Sequence, residues 1–167
     1  MGPETKVLFL LRHAKSSWKD DSLPDHDRPL NSRGEGDAPR LGAFMQERGL
    51  EPELILTSTA QRARRTAALI ADNSNFSGEL RQVRALYHAD PEEIIEQLRR
   101  VPDDYARVMV VGHNPGLEDL LELLTGDWER MPTAALAHVT LPILRWRELD
   151  DETEGRLLHL WTPRELL

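Results

Sequence analysis

The chain has no cysteine, which excludes a disulfide framework, thiolate catalysis and any cysteine-based zinc site, and fits a reducing compartment. It has no apolar run long enough to span a bilayer. The N-terminal stretch, with Glu4 and Lys6 around a short apolar strand, lacks the extended apolar segment of a secretory signal, so a cytoplasmic location is expected. Without export, the glycosylation pattern Asn75-Phe76-Ser77 carries no meaning. Positive charge is also short. Against 29 Asp and Glu there are 21 Lys and Arg, a formal net charge of −8, which argues against nucleic acid or anionic membrane as a partner. No internal repeat, low-complexity stretch or linker interrupts the 167 residues, a length that suits one domain spanning 1–167.

What is present alternates between two kinds of segment. Lys6 to Leu11, Leu54 to Thr57 and Val108 to Val111 are short, nearly continuous apolar runs, as expected of strands covered on both faces, and Val83 to Leu86 is a weaker fourth. Between them lie helical patterns. Ser32-Arg33-Gly34-Glu35 reads as a capping box opening a helix that stops at Gly49, a second helix runs from about Ala60 to Ala71, and Asp90-Pro91-Glu92-Glu93 is a strong start for a third. Asn114-Pro115-Gly116 turns the Val108 strand into a fourth helix, and Ala137 to Leu141 and Leu157 to Trp161 form a hairpin-like pair around the acidic turn 150–155. That turn lacks full EF-hand spacing. Residues 15–31, rich in Asp and Pro, read as a long loop. The fold class expected is α/β, a mostly parallel sheet sandwiched by helices with antiparallel edge strands, whose ligands bind beyond the carboxyl ends of the parallel strands.

Three chemistry-bearing segments fall at that end: Arg12-His13-Ala14-Lys15-Ser16, Ser58-Thr59-Ala60-Gln61-Arg62 and Gly112-His113-Asn114. Taken singly, each is a polar strand cap. Together they offer a neutral imidazole that can attack phosphorus and guanidinium groups that fork onto phosphate oxygens. Arg62 shares the first turn of its helix with free backbone N–H groups that favour an anion, whereas Arg64 and Arg65 point elsewhere. His113, before a helix start, can donate to a bound phosphate. His26, His138 and His159 have no comparable context. Among Trp18, Trp128, Trp146 and Trp161, any that are exposed would mark a docking surface, although core packing is the commoner fate of tryptophan.

With Arg62-Ala63-x-x-Thr66 added, these segments resemble the histidine phosphatase superfamily, also called phosphoglycerate mutase-like, and within it the short SixA-type phosphohistidine phosphatases. The resemblance extends through Asp27-Arg28-Pro29-Leu30, Leu86-Tyr87 and Pro132-Thr133. It implies a phosphohistidine intermediate on His13, a phosphate pocket of Arg12, Arg62 and His113, and no metal or other cofactor. Where the superfamily usually has glycine after the histidine, this chain has Ala14, which asks for a compatible backbone angle and a little more room. Many members carry a glutamate general acid after the third strand. Here Leu86-Tyr87 is followed by His88, so His88, Asp27 and Asp20 are the acid candidates. Imidazole leaves phosphorus more readily than an alkoxide does, so the missing glutamate points toward a phosphohistidine substrate.

The expected activity is hydrolysis of phosphate from a protein histidine, with a phosphorylated protein such as a histidine-phosphotransfer domain as partner. Two alternatives stand beside it: a small-molecule phosphatase or mutase of the same superfamily, and a non-catalytic phosphate-binding module. A metal site built from His13, His88 and His113 would lack the tight helical ligand spacing such sites often show.

Overall fold

The computed structural model describes residues 5–166, so Glu4 lies outside the described residues. Six strands form one sheet in the order β3-β2-β4-β1-β5-β6. The strands are β1 (Lys6–Arg12), β2 (Leu54–Thr57), β3 (Glu79–Gln82), β4 (Arg107–Gly112), β5 (Leu136–Leu141) and β6 (Arg156–Trp161), with helices α1 (Ser32–Arg48), α2 (Gln61–Asp72), α3 (Pro91–Arg99) and α4 (Gly116–Thr125) between them. Strands β1, β2, β3 and β4 pair in parallel, and β5 and β6 add an antiparallel edge beside β1.

The alternation of side chains along each strand divides the core in two. Leu8, Leu10, Leu54, Leu56, Val108 and Val110 face α3 and α4, meeting Ile95, Leu98, Leu117 and Leu121. Phe9, Leu11, Ile55, Met109 and Val111 face the other way, onto Leu41, Met45, Ala63, Ala67 and Ile70 of α1 and α2. A strand apolar on both faces is what this double cover requires, and it explains the unbroken runs in the sequence. The phosphoglycerate mutase-like α/β architecture follows from this order.

Three local readings need correction. The cap of α1 is Asn31, whose side chain accepts from the Gly34 N–H, one residue before the expected Ser32, and Glu35 pairs with Arg65 instead of closing a capping box. Strand β3 lies at Glu79–Gln82, not at Val83 to Leu86. As an edge strand it needs no apolar run, while Val83 and Leu86 are apolar because a 3-10 turn over Arg84–Leu86 tucks them against the core. The loop 15–31 is also more ordered than its composition suggests. An antiparallel bridge joins Ser16 to Leu30, and a 3-10 turn spans Asp25–Asp27.

Close backbone approaches fix this loop and the α4 start. A Cβ on Gly34 would run into the Lys15 carbonyl, so glycine lets α1 sit directly on the segment after His13. Gly116 does the same for α4 against the Ala89 carbonyl, next to His88.

Candidate active site

A cleft of about 220 Å³ opens beyond the carboxyl ends of β1 and β4. Arg12, His13, Arg62, His88 and His113, which come from four separate segments, all line it. Lys15, Ser16, Trp18, Asp25, Arg28, Asn114 and Thr133 complete the wall. A roomier groove of about 430 Å³ between α2 and β3 holds Gln61, Arg64, Arg65 and Gln82 but no imidazole, so volume alone would misplace the chemistry.

His13 leaves the end of β1 with its Nδ1 2.8 Å from the Ala14 carbonyl. A carbonyl only accepts, so Nδ1 carries the hydrogen and Nε2 presents its lone pair. Burial, aided by the charges of Arg62, Arg12 and Arg28, pushes the His13 pKa down to about 3, against the opposing Ala14 bond. The ring is therefore neutral throughout the physiological range. Ala14 has no left-handed backbone angle, so the alanine in place of glycine is unstrained, and its N–H donates to Thr66 Oγ1 at 3.0 Å.

The second buried imidazole, His113, lies with its ring centre 5.2 Å from that of His13. Its Nε2 is 2.8 Å from Ser58 Oγ, which also accepts from the Ala60 N–H at 3.2 Å. Its Nδ1 is buried without a partner. A Ser58 hydroxyl that donates to Nε2 puts the hydrogen on Nδ1, which no protein group meets. Desolvation, with His13, Arg62 and His88 nearby, lowers this pKa to about 3 as well.

Three guanidinium groups face the imidazoles. Arg62 is buried in the first turn of α2 and binds Asp25 twice, through the backbone carbonyl at 2.7 Å and Oδ2 at 3.0 Å. Arg12 spends one nitrogen on the Met131 carbonyl at 3.2 Å and leaves its buried Nε without a partner. The third, Arg28, was carried in the sequence only as part of Asp27-Arg28-Pro29-Leu30. It is buried, bonds Ser16 Oγ, the Ser17 carbonyl and Asp25 Oδ1, and stacks 3.3 Å beneath the Trp18 ring.

The expected acid candidates separate. His88 lines the cleft, whereas Asp20 is exposed and accepts from the Ser22 N–H and hydroxyl, and Asp27 is exposed beside His26. Neither carboxylate lines the cleft. Asp25 does, and nothing in its local sequence marks it, because its importance comes from Tyr87 and His88, 62 and 63 residues away. His26 also sits closer to the cleft than its sequence context implied, with Nε2 2.8 Å from Thr59 Oγ1 and its ring edge-on to Tyr87. Arg64 and Arg65 turn away to the Thr59 carbonyl and Glu35. Trp146 and Trp161 are core residues, while Trp18 and Trp128 are exposed.

Paired imidazoles, one with a free Nε2 and the other with an unpartnered Nδ1, and guanidinium groups converging from separate strand ends agree with a family profile that spans residues 8–115, that of the histidine phosphatase superfamily (branch 1). The chain belongs to that superfamily. An uncharacterized protein of Mycobacterium leprae is 30% identical over 167 residues, covering 92% of this chain and all of the relative. One from Mycobacterium tuberculosis is 38% identical over 138 residues, 76% of this chain and 84% of the relative. A crystal structure from Agrobacterium tumefaciens, named as a candidate phosphohistidine phosphatase SixA, superposes with a TM-score of 0.79 at 29% identity, covering 95% of this chain and 98% of the other. Another SixA candidate, from Nakamurella multipartitia, gives 0.82 at 26% identity, with 98% and 99% covered. Superfamily members are phosphatases or mutases, and the cleft described here occupies the switch between β1 and β4 where such a fold binds its ligand. Among the described residues no group of three or more His, Cys, Asp or Glu side chains is arranged to hold a metal ion, and no helix is long and apolar enough to cross a membrane.

Proposed function

We propose that the protein is a phosphohistidine phosphatase, which moves a phosphoryl group from a histidine of another protein to His13 and then to water without a metal, in the cytoplasm. The observation that carries this reading is the free Nε2 of a neutral, buried His13 among Arg12, Arg62 and Arg28. A lone pair on that nitrogen can bond to phosphorus, while the guanidinium groups and His113 Nδ1–H take the three equatorial oxygens whose charge must be held in the transition state. Arg62 keeps its Asp25 contacts and offers its remaining N–H groups to phosphate oxygens, and the N-terminal N–H groups of α2 add their dipole. At the open side of the cleft, His88 is the group placed to give the leaving atom its proton.

The substrate class rests on the shape of the entrance. Trp18 lines the cleft 72% exposed, while its inner face is stacked on Arg28. A rigid, open indole is a typical anchor for a protein surface and of little use to a small phosphate ester. Rapid mixing with a phosphorylated histidine-phosphotransfer domain, alkaline quenching and mass spectrometry should find phosphate on His13. Trp18→Ala should lower kcat/KM for that protein by about 30-fold, the size of an interface hot spot, and leave phosphoramidate turnover within about twofold. No label on His13, or equal losses on both substrates, would overturn the corresponding half of the reading.

A further inference from the structure

The carboxylate that faces the cleft is Asp25, and four donors converge on it. Tyr87 OH lies 2.6 Å, Arg62 3.0 Å and His88 Nε2 3.1 Å from Oδ2, and Arg28 lies 3.0 Å from Oδ1. Burial acts to raise its pKa, but these hydrogen bonds outweigh it and hold the group well below the usual carboxylate range. An ionised carboxylate has no hydrogen to give. The hydrogen of the His88 contact therefore sits on Nε2, which leaves Nδ1 as the position where a proton can come and go.

The His88 ring is fixed although its side chain is 56% exposed. Tyr87 meets it edge-on with centres 4.2 Å apart, and His113 lies nearly parallel at 5.3 Å and 16°. Its backbone adopts φ 53°, a left-handed conformation that costs a residue with a Cβ about 1 kcal/mol or more. The other charged or titratable groups around it are Arg62 and Arg28, which it reaches through Asp25, and Asp90 and Asp119, which share an adjoining hollow with it. Asp90 is already committed to capping α3.

We propose that Asp25 and His88 act as a dyad, with Asp25 the positioning residue that holds the ring with Nδ1 free, and His88 the proton carrier in both half-reactions. This rests on the phosphatase reading above. In the first half, His13 Nε2 bonds to phosphorus as the bond to the leaving atom breaks, and that atom takes the proton from the His88 imidazolium at Nδ1. In the second, a water oxygen bonds to phosphorus and Nδ1 takes the water proton. The phosphorus–Nε2 bond breaks with its electron pair returning to His13, and phosphate departs with His88 charged again. One carboxylate thus sets both the proton carrier and two of the phosphate-facing arginines.

The test is a series of aryl phosphates and N-phosphoryl imidazoles graded in leaving-group basicity, turned over by wild type, His88→Gln, Asp25→Asn and the double variant. In kcat/KM, which reads only the half-reaction that expels the leaving group, His88→Gln should lose on the order of 10²-fold for the most basic leaving groups and almost nothing for the least basic, since general acid catalysis matters only where the leaving atom needs its proton. Asp25→Asn should tilt the series in the same sense by about 10-fold, together with a higher KM from the loosened Arg62, and should add no further tilt in the His88→Gln background. Losses in kcat/KM equal across the series would overturn the dyad alone. A wild-type protein that turns over none of the series would overturn the phosphatase reading and the dyad with it.

Discussion

Imidazole and indole rings gather at two places in this protein, and only one of them lies at the candidate site. On the antiparallel edge, His138 of β5 lies opposite His159 of β6, and His159 stacks on Trp161 with ring centres 4.4 Å apart. Phe9 meets His138 at 5.0 Å. In the cleft, His13, His113 and His88 lie at similar separations. The difference is in the backbone. His138 and His159 sit along the β5–β6 ladder, away from the strand ends, where the rings meet one another and the Arg107 guanidinium 5.4 Å over Phe9, and their stacking contributes to stability. At the carboxyl ends of β1, β2 and β4 the ladder stops, and loop carbonyls, hydroxyls and a helix N-terminus fix which ring nitrogen carries hydrogen. Clustered histidines become reactive where such neighbours assign their tautomers and guanidinium groups crowd beside them.

The sharpest way to break this comparison is to remove one ring from each place. His13→Ala should lower phosphoramidate turnover by on the order of 10⁴-fold or more, because the lone pair that bonds to phosphorus is lost with the ring. His159→Ala should leave turnover unchanged and cost about 0.5 kcal/mol of unfolding free energy, as expected for one exposed cross-strand pair. Steady-state rates and urea midpoints measured on both variants would reverse the assignment if the effects were exchanged.

Acid should act most strongly on the cleft pair, while burial lowers the His138 pKa on the edge in the same direction. His13 and His113 have folded pKa values near 3 against about 6.5 when unfolded, so between those limits the unfolded chain binds more protons and stability falls as pH falls. Two such groups give a slope of at most about 2.7 kcal/mol per pH unit in that window. Asp25 adds to the same trend only below the ordinary carboxylate range, near pH 4. His13→Asn should roughly halve the slope in urea titrations between pH 6.5 and 4.

The smallest effect sharpens the tautomer argument. Ser58→Ala removes the oxygen held between His113 Nε2 and the Ala60 N–H, so His113 loses the partner that commits its hydrogen to Nδ1. Turnover should fall by about 10-fold, the value of one buried hydrogen bond, with little change in KM for a protein substrate held by Trp18. A variant with unchanged kcat would show that the Ser58 contact is structural only.

The strands were legible because burial on both faces demands unbroken apolar runs, and Leu8 to Leu11 and Val108 to Val111 have no other reading. Arg12, His13, Arg62 and His113 were legible because each directly follows such a run or opens the helix after it. Edge strand β3 was not, since Glu79–Gln82 has one open side and no compositional need to be apolar. Asp25 was hidden for a different reason. Among the four acidic residues of the 20–27 stretch, Asp20, Asp21, Asp25 and Asp27, only the fold decides which one lines the cleft.

By itself, then, the order of residues determined the buried strands and the four helices, though not the edge strand β3, and which basic and imidazole groups stand at strand ends, because those properties follow from local periodicity. Tertiary structure decided which nitrogen of His13 and of His113 bears hydrogen, that Arg28 joins the cations, and that Asp25 faces His88. Each of those depends on a single hydrogen-bond partner or ring contact delivered by a distant segment, and such contacts exist only once the sheet and its loops have closed around the cleft.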